Sequence, residues 1–185
     1  MNTIAAAARR AGALFVEPPP ARAAPAGSVD VVVTSLGAGA GASTVARGLA
    51  IALRRLRPVE LSGAGGSAAV AAGPGTAVVR DTKPAAAASM SHRGSGRVLV
   101  AVGDGRRPPA IAALVRDVLA RRHDRVILVG NRVRDAGAWS GAGALSVPDS
   151  RLGALLVERG RRPPGAMGAA FAELAARVLP PPGSA

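Results

Sequence analysis

The segment Val29-Asp30-Val31-Val32-Val33-Thr34-Ser35-Leu36-Gly37-Ala38-Gly39-Ala40-Gly41-Ala42-Ser43-Thr44-Val45 changes character twice. It opens as a β-branched run, which predicts a short strand over 29–33. A Gly/Ala loop follows from Leu36 to Ala42. Ser43 and Thr44 then open a helix with Val45, Leu49, Ala52, Leu53 and Leu56 at helical spacing. Arg47, Arg54 and Arg55 are left for its outer side. Strand, glycine-rich loop and helix in this order are the start of a βαβ unit, in which ligands bind beyond the carboxyl ends of the strands. Gly37, Gly39 and Gly41 stand at alternate positions and let backbone N–H groups curl around an anion, to which the helix N-terminus adds its dipole.

Downstream, Pro58 stops the first helix, and Val59-Glu60-Leu61 reads as a very short strand. Residues 62–75 are a Gly/Ala/Ser loop, and Ala77 to Arg80 is strand-like. Residues 84–96 form a Pro/Ala/Ser/Gly connection with one helical turn over 85–90. Arg97 to Val102 is a strand. Pro108 and Pro109 then introduce a helix with Ile111, Leu114, Val115, Val118 and Leu119 on one face, close to an ideal amphipathic repeat. Arg125 to Val129 and Ala144 to Val147 are further strands. Ser150 caps a helix carrying Leu152, Leu155 and Leu156, which Gly160 terminates. The last helix follows Pro163 and Pro164, with Met167, Phe171, Leu174 and Val178 facing inward. Strands alternating with helices predict an α/β fold of three layers, a mostly parallel sheet with helices on both faces and the first strand in its interior. There is no internal repeat.

At the chain's ends the pattern lapses. Residues 1–28 combine a short helical stretch, Thr3 to Phe15, with a Pro/Ala linker from Pro18 to Gly27, and read as a flexible tail or as a docking peptide for a partner. Residues 180–185 are a Pro-rich C-terminal tail, which leaves one domain over 29–179.

Composition narrows the chemistry. Apolar residues make up 49% of the chain but aromatics only 2%, so the core is built from Val, Leu, Ile and Ala. The absence of cysteine excludes disulfides, thiolate metal sites and Cys nucleophiles. His92 and His123 lack ligand spacing. No stretch reaches the roughly 18 apolar residues of a membrane span, and no signal-peptide order is present; a cytoplasmic protein is the expectation. The net charge is +13, and Lys83 is the single lysine among 24 basic residues. That arginine excess is the mark of a GC-rich coding sequence, so part of the charge is compositional. The remainder permits weak, non-specific attraction to nucleic acid. The lack of aromatic platforms speaks against single-strand binding.

A P-loop reads G-x-x-x-x-G-K-[ST]. Here Gly41 takes the second glycine and Ser43 the Ser/Thr, but Leu36 stands for the first glycine and Ala42 for the lysine. On this string alone a Gly/Ala-rich turn is the better reading. The surroundings change it. Residues 31–53 resemble the MinD/ParA family of deviant Walker ATPases, in which a V-T-S-type turn leads into a KGGxGK[ST]T loop and an amphipathic helix. Val33-Thr34-Ser35 matches the lead-in, Gly39-Ala40-Gly41 the middle, and Ser43-Thr44 the end. Val78-Val79-Arg80-Asp81-Thr82-Lys83-Pro84 resembles the family's Walker B end. Val126 to Val133 resembles the strand that ends in Asn-Arg-Val, and Val147-Pro148-Asp149-Ser150 the following loop. Together these pieces cover residues 29–179.

The resemblance implies a nucleotide site formed by Gly37, Gly39, Gly41, Ala42, Ser43, Thr44, Asp81 and Asn131. Ser43 and Asp81 would be on the Mg²⁺ side and Asn131 at the purine base. The implied cofactor is ATP or ADP with Mg²⁺, or none if the loop has ceased to bind. The family's two lysines fall on Gly37 and Ala42, so both are missing, and the chain also lacks the family's D-x-D strand and long switch region, for which only Glu60 and a Gly/Ala loop stand. Loss of an electrostatic group of this kind costs on the order of 10²-fold in rate or more. No catalytic residue is assigned, and efficient hydrolysis is not expected. Two readings stay open. One is a pseudo-ATPase that binds a protein partner, by itself or paired with a copy or a competent relative. The other is a divergent ATPase switch using another cation, for which Lys83, Arg47, Arg106 and Arg107 are the candidates. A basic nucleic-acid accessory is a third, weaker possibility.

Overall fold

The computed structural model describes residues 28–63, 75–83 and 97–179. The segment Thr3 to Phe15, the Pro/Ala linker, the helical turn over 85–90 and the C-terminal tail lie outside the described residues, as does most of the 62–75 loop.

Six strands and five helices lie along these residues. They are β1 (Val29–Ser35), α1 (Ala42–Leu53), β2 (Val59–Ser62), β3 (Ala77–Thr82), β4 (Val98–Asp104), α2 (Ala110–Ala120), β5 (Arg125–Val133), α3 (Ala136–Gly141), β6 (Leu145–Pro148), α4 (Arg151–Glu158) and α5 (Gly165–Val178). The sheet order is β2-β3-β1-β4-β5-β6, and every pairing is parallel. β1 therefore lies inside the sheet, with Val31 opposite Val79 on one side and Val98 on the other. The β-branched run needed that place, since it is buried on both faces: Val31, Val32 and Val33 are all at most 1% exposed.

Alternation along the strands divides the core. Val31, Val33, Val79, Val100, Val102 and Val129 face the side covered by α1, α4 and α5. Phe171 of α5 is admitted there by Gly48 of α1, where a Cβ would come within 2.3 Å of the ring. Val32, Leu99, Ala101 and Leu128 face the other side, with α2 and α3. The anchor there is Trp139. It lies over Gly103 and Gly130, which stand opposite each other on β4 and β5; a Cβ on either would approach the indole to 2.6 or 2.5 Å. On this same side Asp30 of β1 holds Arg80 (Nε–Oδ1 3.1 Å) and Arg97 in a half-buried ion cluster.

Two features differ from the sequence reading. α3 was not foreseen. Six residues with two glycines carry no periodicity, yet Asp135 caps them by accepting hydrogen bonds from Gly137 N (3.0 Å) and Ala138 N (3.2 Å). α2 begins after Pro109 as expected, but only part of its apolar stripe is buried: Leu119 packs on the sheet and Val115 is half-buried. Ala112 packs inward, while Ile111, Leu114 and Val118 are 77%, 66% and 52% exposed. The last helix is as expected, with Met167, Phe171, Leu174 and Val178 all buried.

Candidate functional site

The loop from Leu36 to Gly41 leaves the carboxyl end of the internal strand β1 and enters the N-terminus of α1. Two of its glycines are required by the backbone: Gly39 has φ +70 and Gly41 φ +81, in the left-handed region that side chains disfavour. Gly41 is also the N-cap, so no side chain caps α1, and its carbonyl accepts the Val45 amide at 3.1 Å. The amides of the first turn therefore point past the end of the helix without a side-chain acceptor. Ser35 fixes the start of the loop, accepting from Gly37 N at 3.2 Å.

The two lysine positions differ. At Gly37 a Cβ would meet nothing within 4 Å, and the residue is exposed. Ala42 is buried in the main core at 8% exposure. Leu36, where a P-loop has glycine, packs against the Trp139 cluster on the far side of the sheet from α1. Its amide donates to Val102 O at 2.8 Å. The leucine thus serves the second core.

Of the remaining predicted site residues, Ser43 is exposed and Thr44 half-buried in the first turn of α1. Asp81 is half-buried near the end of β3, opposite Val33, which by alternation puts it on the α1 side. Lys83 is exposed and follows the strand that pairs with β1. Asn131 does reach the loop. It is 3% exposed, and its Nδ2 donates to Ala40 O at 2.9 Å. A Cβ on Gly41 would collide with that nitrogen at 2.3 Å, a second reason for glycine there.

Residues that the motif reading left aside complete the arrangement. Arg132 has φ 63, the single non-glycine in the left-handed region among the described residues. That conformation costs roughly 1–2 kcal/mol, and it points the guanidinium at the loop, where Nη2 donates to Gly39 O. Arg132 also lies 3.4 Å from Asp104 Oδ1. Asp104 ends β4, opposite Asn131, and is gripped by Arg106 through Nε and Nη2, both at 3.0 Å. These hydrogen bonds hold the Asp104 carboxyl below its usual range; burial opposes them, and the Arg132 charge adds to them. Carbonyls of the loop are thus tied to β5, and three arginines, Arg106, Arg132 and more distantly Arg107 (4.0 Å), share one carboxylate beside it. The adjacency of Asn131 and Arg132 in sequence was the available signal, but only the strand order shows that both reach across to the loop.

Among the described residues no group of three His, Asp or Glu side chains could hold a metal ion by itself. Mg²⁺ suits this donor set only in the way it commonly binds nucleotides, with few protein ligands and the phosphates supplying the rest. No described helix is long and apolar enough to cross a membrane. Comparison with protein-family models, with curated proteins and with solved structures gives no match.

Proposed function

We propose that this chain is a MinD/ParA-like pseudo-ATPase domain, a partner-binding or positioning factor with weak or no nucleotide hydrolysis. The observation that carries the reading is the loop itself. It lies at the carboxyl edge of an internal parallel strand, with left-handed glycines and an uncapped helix N-terminus, yet Gly37 and Ala42 occupy the lysine positions. Backbone amides would retain some affinity for the phosphates of ATP or ADP, and Ser43 and Asp81 would stand on the Mg²⁺ side. Mg²⁺, when bound, would neutralise phosphate charge. The chain's own contribution is to orient the phosphates by amides and to hold the loop through Asn131 and Arg132.

A second reading is favoured by one observation, the Arg132 guanidinium fixed at the loop. In that reading Arg132, rather than Lys83 or Arg47, is the substitute cation of a divergent switch.

Calorimetric titration with ATP and ADP, with and without Mg²⁺, tests both. Pseudo-ATPase behaviour predicts weak binding and turnover of a few per cent of a competent relative at most. Gly37→Lys, whose side chain has open space, should tighten nucleotide binding about ten- to a hundredfold through a charge-assisted contact. Ala42→Lys should do so at a cost in stability, because the position is buried. Robust turnover lost in Arg132→Ala would establish the second reading. If neither lysine variant binds nucleotide at millimolar concentration while folded, the nucleotide reading fails.

A further inference from the structure

Ile111, Leu114 and Val118 recur at i, i+3 and i+7 along α2 and form a continuous outward stripe. Three large aliphatic side chains exposed in one row, on a helix that already packs its Ala112 side on the sheet, are a surface that none of the described residues covers. Their spacing is that of the anchors by which one amphipathic helix seats on another.

The charges around the stripe select the partner. Arg107 lies just before the helix, 81% exposed and at the outer limit of an ion pair with Asp104 (4.0 Å), and Arg121 is the exposed C-cap at the other end of the stripe. The exposed acid beside the stripe, Asp117, is already engaged by Arg116 at 2.7 Å. A second copy of the chain fits poorly. An antiparallel pairing about Leu114 would set Arg107 against Arg121 of the other copy, and a parallel one would set each arginine against itself; like charges so placed are repulsive. Residues 1–27 fit no better, because Glu17 is their one acid against Arg9, Arg10 and Arg22.

The geometry points to α2 as a docking site for an amphipathic helix of another protein, one whose apolar seam is flanked by Glu or Asp. This gives a surface to the partner-binding half of the function proposed above and rests on that half alone. The state of the glycine-rich loop does not enter, and a nucleotide titration on the same preparation reads that loop separately.

The test uses the full chain and two labelled synthetic helical peptides with the same Leu seam, one flanked by Glu and the other by Lys, followed by fluorescence anisotropy. The Glu-flanked peptide should bind at least about tenfold tighter than the Lys-flanked one, as expected where charge complementarity sets the choice. Leu114→Glu should weaken it by about tenfold or more without moving the unfolding midpoint. The pair Arg107→Glu with Arg121→Glu should invert the preference between the peptides. The inference is overturned if the wild-type chain binds neither peptide, if it binds both equally, or if Leu114→Glu leaves binding intact. It is equally overturned if sedimentation shows a dimer that Leu114→Glu abolishes, which would assign the stripe to a second copy. Co-sedimentation with phosphatidylglycerol vesicles that is lost in the same variant, without peptide binding, would assign it to a lipid surface and also overturn the inference.

Discussion

The two sides of the sheet are closed by different means. On the α1, α4 and α5 side, Val, Leu and Ala side chains interlock from three helices, and Phe171 fills the slot left by Gly48. On the α2 and α3 side the core formed by the described residues is smaller. One indole lies on two facing glycines, an ion cluster around Asp30 occupies part of the strand surface, and α2 contributes little more than Ala112, Ala113 and Leu119. A distributed core tolerates the loss of any one member better than a core hung on a single large residue. Part of the apolar content of α2 has been withheld from the fold and left on the surface.

The strongest way to break this comparison is Trp139→Ala. Removing a buried Trp costs about 3–5 kcal/mol, and with no other aromatic on that side among the described residues the loss should fall at the upper end. Urea unfolding followed by circular dichroism checks it; a loss below about 1 kcal/mol would mean that α2 supports the second core after all. Gly130→Ala comes next. Its Cβ would stand 2.5 Å from the indole and 2.8 Å from Val133, and overpacking of this kind costs roughly 1–3 kcal/mol. The same urea experiment should show it, with Gly37→Ala, where nothing lies within 4 Å, as the control.

A third test uses pH. His123, at the foot of α2, is 3% exposed, and burial pushes its pKa below 6.5, with Asp124 opposing and Arg122 adding to the shift. The folded state then binds its proton less readily than the unfolded chain. This contribution to stability is complete above about pH 6.5 and is lost as pH falls below that value toward the folded pKa. His123→Gln should flatten that part of the stability profile. The decline that begins below about pH 3.8, where the unfolded chain takes up a proton that folded Asp104 still resists, should remain. The smallest expected effect is that of Leu114→Gln. At 66% exposure it should change stability by no more than about 0.5 kcal/mol, while Leu174→Ala on the other side costs about 2–5. Equal losses would show that the stripe is part of the core.

The same contrast separates what could be read from the sequence from what could not. β1, α1 and α5 were legible because their apolar periods match the burial they meet. The period of α2 was equally regular, but a period specifies a face and not which face the sheet will take. Here the sheet took Ala112 and Leu119, which pack in the same cluster as Trp139, and left Ile111, Leu114 and Val118 outside. α3 has no period at all, and its signal was the Asp135 cap alone. In the loop, Gly39, Gly41 and their setting between strand and helix could be recognised locally. The tie from Asn131 and Arg132 could not, because it spans |i−j| of 91 and 93 residues and depends on the position of β5 in the sheet.

The interior place of β1 also affects the birth of the chain. Its neighbours β3 and β4 both come later in the sequence, and the second of them ends at Asp104. At typical translation speeds the Val31-Val32-Val33 run must wait on the order of ten seconds before both of its edges can be paired. During that interval a strand with strong β-propensity and a single charge, Asp30, is available to any other nascent copy. Arg80 and Arg97, which will later neutralise Asp30, arrive with β3 and at the start of β4. Until then that carboxylate is the gatekeeper of the run, so Asp30→Val should reduce soluble yield in vivo more than it reduces the stability of the finished fold.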